Sequence, residues 1–347
     1  SHPDGLNGNL ATTGVITLSP KGNYGFAGST AQVTGSLMQD TVNGIYVENS
    51  AGVTLSGNLL ISDWIGIGAG TIVPGGNSLT FGTDVTLNYE GNAPQTTTDV
   101  EFPSTGGPKN LRVTNPAGVT LHADRTVNGV VQMDAGKLHL NGKTLTLGPT
   151  AMLEENNSST VTGTSGKIVT TRTLNAPSAA NPGKLGLEIS SSANLGSTLI
   201  ERYHDARTGN GNQSIKRVFR IVPTLNTGLN ASLRIYYDAS ELNSIPEQNL
   251  VMFTSPNGVN GWSLTGGTVD TGMNFVNVSG LNSFAYHTLA NSSNPLPVEL
   301  TSFSATHENN AVVLRWSTAT ERENRGWDIE KRTSDTWETI GFVEGSG

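Results

Sequence analysis

The sequence contains no cysteine among its 347 residues. This absence excludes disulfide bridges and thiolate metal sites, so packing and backbone hydrogen bonds must stabilise the fold. Charge is also scarce, since Asp, Glu, Lys and Arg together make up 14 % of the chain. The formal net charge of -8 at pH 7 argues against a surface that neutralises phosphates and against a polybasic membrane patch. We therefore expect no nucleic-acid partner.

Long apolar runs are missing as well. No window approaches the roughly 18 uninterrupted apolar residues of a membrane-spanning helix, so we expect no membrane insertion. The amino end, SHPDGLNGNL, lacks the basic and then apolar layout of a signal peptide. The chain is accordingly interpreted as already processed or as a fragment of a longer protein.

Glycine, by contrast, is abundant and occupies 42 positions. Apolar residues alternate with polar ones or come in short runs, as in GVTLSGNLLIS and VVQMDAGKLHLNGKTLTLG. Glycine or asparagine recurs every few positions between them. Such patterns are typical of short strands joined by tight turns. The sequence therefore predicts an all-β fold with little helix.

One phrase occurs twice: SAGVTLSGN at 50–58 returns as PAGVTLHAD at 116–124, an offset of 66 residues. A self-match at a fixed offset indicates a repeat architecture. Two copies fill about residues 17–82 and 83–148, and each divides into three coils of about 22 residues. We predict a β-solenoid, similar to a parallel β-helix, over residues 1–174.

The repeated positions suggest roles inside this solenoid. Parallel stacking would bury the apolar residues of the repeated phrase, Val53, Leu55, Val119 and Leu121. Asn49 and Asn115 would lie at equivalent corners, where their side-chain amides can satisfy backbone groups of the turn that water does not reach. These two asparagines are therefore predicted to be structural.

The pattern changes after about residue 175, where LNAPSAANPGKLG has the composition of a linker. Longer alternating segments follow, such as SIKRVFRIVP and ASLRIYYDAS, which favour an antiparallel β-sandwich over residues 175–291. A second break falls at ANSSNPLPVEL. Residues 295–347 then read as four short strands, where a fibronectin-type-III-like module needs about 90 residues. We expect an incomplete module of that kind, cut short or completed by another subunit.

Several of these segments resemble known modules. PLPVELTSFSA, VVLRWSTATERENRGWDIEKR and WETIGFV together resemble the fibronectin-type segment that often precedes the carboxy-terminal sorting domain of large secreted Bacteroidetes proteins. The stretch from GNGNQSIKRVF to QNLVMF resembles a β-sandwich of the same proteins, and the AGVTL units resemble the repeats placed before it. The resemblance implies export by the type IX secretion route and residence at the outer cell surface or in the medium. It also implies a sorting domain beyond Gly347, and it implies no reaction.

The densest polar cluster is ERYHDARTGNGNQSIKR, which contains Glu201, His204, Asp205 and Arg207. An acid, a base and a cation this close could serve general acid-base chemistry, because a carboxylate orients a histidine ring. Strand alternation, however, places His204 and Asp205 on opposite faces. A calcium or glycan contact and a hydrogen-bonded structural turn are the alternatives. We keep the four as candidate binding residues.

Aromatic side chains matter because a sugar commonly lays its apolar face against a ring. Trp262 lies in NGVNGWSL, a loop-like setting, and joins the candidate binding residues. Trp64 aligns with Val130 of the second copy, so we expect it to fill the core or a groove.

Catalytic and metal sites are not predicted. No two histidines have the spacing of a zinc pair, and the first hundred residues contain one basic residue, Lys21, so a β-helix lyase would lack its base there. We expect no cofactor and no catalytic residues. The sequence favours a non-catalytic extracellular scaffold or adhesin, with polysaccharide or other surface proteins as partners and self-assembly through open strand edges. An accessory region of a larger polysaccharide-active enzyme is the main alternative, and a β-helix lyase or hydrolase is a third.

Overall fold

The computed structural model describes residues 2–10, 12–209, 212–292, 300–308, 311–318, 326–333 and 336–345. The protein is nearly all β, with 52 % strand and 4 % helix. The helical segments are one α-turn, α1, and three short 3-10 helices: Leu6–Asn9 (α1), Pro182–Lys184, Ala239–Glu241 and Glu247–Asn249. Every helix in these ranges falls short of the length and apolarity that a membrane crossing requires. The all-β prediction is confirmed.

The chain divides into two compact units. The first contains residues 1–173, 181–187 and 197–205, and the second contains the remainder. The first unit is a β-solenoid of about seven turns. Its strands are β1 Asn23–Gly28, β2 Gln32–Val33, β3 Thr41–Asn49, β4 Val53–Thr54, β5 Leu59–Ala69, β6 Ile72–Val73, β7 Leu79–Phe81, β8 Thr86–Tyr89, β9 Gln95–Thr96, β10 Asn110–Val113, β11 Val119–Thr120, β12 Arg125–Val127, β13 Val130–Met133, β14 Leu138–His139, β15 Thr144–Leu147, β16 Met152–Glu154, β17 Val161–Thr162 and β18 Lys167–Asn175.

The first sheet of the solenoid takes one strand from each coil, in the order β1-β3-β5-β8-β10-β13-β16, and the pairs are parallel. Ile45 pairs with Ile65, Ile65 with Leu87, and Leu87 with Leu111. These steps are 20, 22 and 24 residues long, and three of them make the 66-residue offset of the repeat. The repeat is therefore three coils, as predicted.

The remaining sheets complete the coils. The short strands form the parallel sheets β2-β4-β6 and β9-β11-β14-β17. A third side begins with β12-β15-β18, while β7 pairs with β5. Parallel coils of this kind bury side chains on the inner face of every strand, and each strand pairs its backbone with the next coil.

The interior is a column of aliphatic side chains. Ile45, Ile65, Leu87 and Leu111 are at most 1 % exposed. Fully burying each such side chain contributes roughly 1.5–3 kcal/mol. The four residues predicted from the repeated phrase to lie inside, Val53, Leu55, Val119 and Leu121, are buried as well.

Two glycines show why the repeat keeps its spacing. Gly70 and Gly136 have φ of 73° and 75°, in the left-handed region. A Cβ added at either position would collide with a backbone carbonyl oxygen of the preceding coil, that of Asn49 or Asn115. Only glycine meets both requirements, because it tolerates this φ and lacks a Cβ.

Strands β19 to β28 follow the solenoid strands along the chain. They are β19 Leu187–Ser190, β20 Asn194–Tyr203, β21 Thr208–Gly209, β22 Asn212–Pro223, β23 Ala231–Tyr236, β24 Leu250–Ser255, β25 Ser263–Gly266, β26 Thr268–Asp270, β27 Phe275–Leu281 and β28 Tyr286–Asn291. Within the second unit β22-β28-β24-β25 form one antiparallel set of neighbours, and β19-β23-β27-β26 form a second sheet. Strand β24 contacts β26 and β27, which joins the two layers. This arrangement is partly consistent with the predicted sandwich.

The last described segments are two antiparallel hairpins, β29 Leu300–Glu308 with β30 Ala311–Thr318, and β31 Gly326–Thr333 with β32 Thr336–Glu344. They match the four strands expected there, and Trp316 and Trp327 meet edge to face at 6.3 Å between ring centroids. The two prolines of the predicted break lie outside the described residues. The fibronectin-type assignment and the predicted domain boundaries stay predictions.

Candidate functional site

The corner asparagines lie in the interior of the turns. Asn49 is fully buried; its Nδ2 donates to the carbonyl of Thr30 at 2.8 Å and to Oε1 of Gln32 at 2.7 Å. Its Oδ1 accepts the N–H of Ala51 at 2.9 Å. The side chain therefore joins one coil to the preceding coil and closes its own turn.

Asn115 repeats this geometry in the second copy. It is fully buried and donates to the carbonyl of Ala93 and to Oε1 of Gln95, both at 2.8 Å, and it accepts the N–H of Ala117 at 2.8 Å. Buried polar groups need such partners, so both asparagines stabilise the coils.

The predicted polar cluster begins with two buried side chains, one on β20 and one directly after it. Glu201 and His204 are 3 % and 5 % exposed. The carboxylate of Glu201 accepts a hydrogen bond from the hydroxyl of Tyr203 at 2.8 Å and pairs with Nζ of Lys167 at 2.5 Å. A buried charge needs such pairing. The buried carboxylate of Glu201 thus lies in an ion pair with the partly exposed Lys167.

Asp205 and Arg207 complete the predicted cluster. Asp205 belongs to the first compact unit and Arg207 to the second, where its N–H donates to Oγ of Ser214 at 2.8 Å. Part of the glycine and asparagine loop, residues 210 and 211, lies outside the described residues. The four candidates are divided between two units, and their binding role stays a prediction.

Trp262 was expected in a loop that presents its ring. It is 4 % exposed, so the ring packs inside the second unit and offers no face to a sugar. A local run of glycine and asparagine indicates a turn, but it does not reveal which neighbours cover the tryptophan.

The outward side of the first sheet carries two rings that lie against glycine backbone. A Cβ added to Gly66 would lie 2.9 Å from Cδ2 of Tyr46 and 3.0 Å from Cζ3 of Trp64. A Cβ on Gly68 would lie 2.9 Å from Cζ of Tyr46, and one on Gly44 would lie 2.6 Å from Cε2 of Trp64. The rings therefore lie along the sheet, half-buried, in space that side chains would otherwise fill. We call these five residues the aromatic patch.

Two carboxylates border the aromatic patch. Glu90 follows β8, and its Oε1 occupies the same space above Gly66. Burial raises the pKa of Glu90; Arg112 opposes this and Glu48 adds to it. Burial also raises the pKa of Tyr46, and Glu48 and Glu90 raise it further. The two carboxylates are thus close enough to act on each other and on the tyrosine.

Three coils further along, the second copy replaces the patch with polar residues. By register, Tyr46 corresponds to Arg112 and Gly66 to Gln132. Arg112 Nε pairs with Oδ2 of Asp134 at 2.6 Å, and Gln132 donates to Oδ1 of Asp134 at 2.9 Å. Burial works against ionisation of Asp134, yet these hydrogen bonds outweigh it and lower the pKa of the carboxyl.

Sequence reasoning missed the aromatic patch. It assigned Trp64 to the core or a groove because Val130 stands at the equivalent position. Yet the alternation in WIGIGA places Ile65 and Ile67 inside and therefore Trp64, Gly66 and Gly68 outside. The alternation of glycines on the outer face with isoleucines on the inner face was the signal in the sequence that could have indicated the patch.

A second polar cluster fastens the loop between β9 and β10. Asp99 Oδ1 lies 3.2 Å from Nε2 of His122 and pairs with Arg125. Nδ1 of His122 is 2.6 Å from Oγ1 of Thr97. The hydrogen bonds from His122 and then Arg125 lower the pKa of Asp99. Arg125 also donates to the carbonyl of Phe102, so the cluster ties the loop to the coil beneath it.

The same loop supplies a buried acid. Glu101 is 3 % exposed; its Oε1 accepts the hydroxyl of Tyr89 at 2.7 Å and the N–H of Thr98 at 2.6 Å, and the Thr98 hydroxyl donates to Oε2. Burial, and then the charge of Glu101, raise the pKa of Tyr89 well above its usual range. Both residues line a pocket of about 310 Å³ that also includes Gln95 and Pro94. Because Glu101 already accepts three hydrogen bonds, we interpret it as an acid that stabilises the turn.

Metal binding finds no support in the part of the chain that the structure describes. Within those residues no group of three or more His, Asp or Glu side chains is placed to hold a metal ion. The sequence matches no protein-family model, and no curated protein or solved structure is similar enough to count as a match. Function therefore has to be argued from the geometry itself.

Proposed function

We propose that the chain is a non-catalytic extracellular scaffold or adhesin. The observation that supports this proposal is the unbroken parallel pairing of the first sheet, in which every coil hydrogen-bonds to the next through about seven turns. Buried asparagines add contacts between coils at the turns. A column built in this way is stiff and holds its outer side chains in fixed positions, which is what a surface scaffold requires.

The arrangement of charged groups also supports a non-catalytic role. Glu201 is paired with Lys167, and Glu241 with Arg217, in buried surroundings. Such pairs stabilise or specify a fold, and they occupy these two acids with ion-pair partners. The Asp99 cluster is the nearest approach to a catalytic set, and its members hold a loop in place.

Turnover measurements test this proposal. The purified chain is incubated with pectin, alginate and soluble glucan, and the reaction is followed by the appearance of reducing ends and of unsaturated sugars. We expect no turnover. Product formation by the chain, abolished by Asp99→Asn or Glu90→Gln in a variant that remains folded, would replace the scaffold with an enzyme.

The alternative, an accessory region of a polysaccharide-active enzyme, draws support from the aromatic patch. Such a region would hold an enzyme against its polymer. The chain is fused to an unrelated glucanase, and hydrolysis is compared on soluble and insoluble glucan. Faster hydrolysis of the insoluble polymer alone supports the accessory role, whereas equal rates with and without the chain argue against it.

Location and assembly are proposals of the same kind. The resemblance to type IX secreted proteins supports an outer-surface location. Self-assembly draws support from the two terminal hairpins, where Phe303, Trp337 and Ile340 are more than 60 % exposed, because exposed apolar side chains on open strands recruit partners. Sedimentation velocity over a range of concentrations tests it. Trp337→Ser with Ile340→Ser is expected to reduce association, and a monomer at all concentrations would contradict it.

A further inference from the structure

We infer that the aromatic patch, together with Glu48 and Glu90, binds a neutral polysaccharide. The inference rests on the proposed function for its setting, since it gives the scaffold a ligand. The patch lies on β3 and β5 and is bordered by Glu90 after β8, so it covers three adjacent coils. With strands about 4.8 Å apart, this corresponds to roughly 10 Å along the solenoid.

The chemistry of the patch suits a sugar. A pyranose has an apolar face of C–H groups that packs on an aromatic ring, and hydroxyls around its rim that need hydrogen-bond acceptors. Tyr46 and Trp64 lie along the sheet and leave their outer sides half-exposed. Glu48 and Glu90 border them and supply carboxylate oxygens, which accept strong hydrogen bonds.

The second copy supplies an internal control. There the same coil is built with Arg112 in place of Tyr46 and Val130 in place of Trp64. The glycines that make room for the rings are replaced at the same time, Gly66 by Gln132 and Gly68 by Asp134. Coil packing therefore does not require the rings. The two rings and the glycines beneath them occur together in one copy and are absent together from the other, as expected of a surface shaped for a ligand.

Charge selects the class of polysaccharide. Glu48, Glu90 and Asp63, which directly precedes Trp64 on β5, make this part of the face acidic. Arg112 is the nearby cation, and its guanidinium is engaged by Asp134 at 2.6 Å. An acidic polymer such as alginate would be repelled, whereas a neutral polymer meets no such penalty. The open face, without enclosing walls, suits a chain of sugars better than a single one.

Affinity electrophoresis tests the inference. The full chain is run in native gels containing hydroxyethyl cellulose, galactomannan, alginate, chitosan or no polymer. We expect retardation in at least one neutral polymer, and the variant Tyr46→Ala with Trp64→Ala is expected to bind about tenfold more weakly. The matched control, Gln132→Ala with Met152→Ala, changes outward side chains of β13 and β16, two and three coils beyond Glu90, and is expected to keep full retardation.

Thermal unfolding of each variant shows whether it folds. If the double alanine variant does not fold, a second variant is used, Tyr46→Arg with Gly68→Asp. It introduces the equivalent of the Arg112–Asp134 ion pair, and it is expected to fold and to lose retardation. The inference is overturned by absence of retardation in both neutral polymers, by equal retardation of wild type and patch variants in the neutral polymers, or by a retardation in alginate or chitosan that exceeds that in the neutral polymers and that the patch variants lose. Failure of the proposed function would appear differently, as reducing ends released from the same polymers.

Discussion

The two copies of the repeat share an interior and differ on the outside. Asn49 and Asn115 make the same hydrogen bonds, and Gly70 and Gly136 take the same backbone conformation. Outward positions differ: the first copy has two aromatic rings packed on glycines, and the second copy has the Arg112–Asp134 ion pair. The comparison teaches that coil stacking fixes the inner and corner positions, while the outer face is free to acquire a ligand.

The largest effect is expected from the corner glycines. Gly70→Ala and Gly136→Ala each force alanine into the left-handed region and push a Cβ into the carbonyl of the coil before. The backbone cost and the clash together should lower the free energy of unfolding by roughly 2–5 kcal/mol in each single variant, and by the same amount in the two copies. Urea unfolding measures the change.

The matched control for this pair is Gly76→Ala. Gly76 has φ of 87°, but a Cβ there meets nothing within 4 Å. The variant therefore reports the backbone cost alone, roughly 1–2 kcal/mol. A loss at Gly136 no greater than that at Gly76 would show that the two coils are not in the close contact described.

The corner asparagines are expected to come next. Asn49→Ala and Asn115→Ala each remove a fully buried amide together with its two hydrogen bonds to the preceding coil and the one it accepts in its own turn, which costs roughly 2–3 kcal/mol. Asn43→Ala, whose amide donates only to exposed Asn23 and Asp63, should change stability by less than about 0.5 kcal/mol. Denaturant midpoints compare the three. A clear inequality between the two corner variants would break the equivalence of the copies.

The ion pair of the second copy should matter little. Arg112 and Asp134 are half-exposed, so Arg112→Ala is expected to cost less than about 1 kcal/mol, and the cost should shrink in high salt. Thermal unfolding at low and high ionic strength measures it. A loss as large as that of the corner asparagines would mean that the outer face also carries the fold.

The smallest effect concerns Glu90, whose equivalent 66 residues further along the chain is Asn156. Burial raises the folded pKa of Glu90 above its unfolded value, so the folded state binds the proton more tightly. Stability therefore rises as pH falls through the folded pKa, and the gain is complete below the unfolded pKa. Glu90→Gln should raise the melting temperature at pH 7 and converge with wild type near pH 4. The opposite trend would contradict the partial burial of this carboxylate.

The solenoid could be predicted because its rules are local and repeat. The offset gave three coils, and the repeated apolar residues and asparagines faced inward as expected. Trp262 could not be placed in this way, since the residues that bury it are remote in sequence. The burial of Glu201 could not be predicted either, because a carboxylate in the sequence indicates exposure unless its partner, here Lys167, is known.

The patch lay within reach of the sequence and was still missed. Comparing Trp64 with Val130 treats the two copies as equivalent, which holds for the interior and fails outside. The alternation in WIGIGA separates inner from outer positions in the sequence, and the strand register in the structure shows which outer positions are neighbours.

Distances between equivalent outward positions test the central claim, that the 66-residue offset is three stacked coils. Thr86 and Met152 occupy such positions, reached through Asn110 and Val130. Because the chain has no cysteine, Thr86→Cys with Met152→Cys accepts two spin labels without background. Their separation by electron paramagnetic resonance should be about 15–20 Å, three strand spacings plus the label arms. A separation beyond about 30 Å would contradict the stacked column.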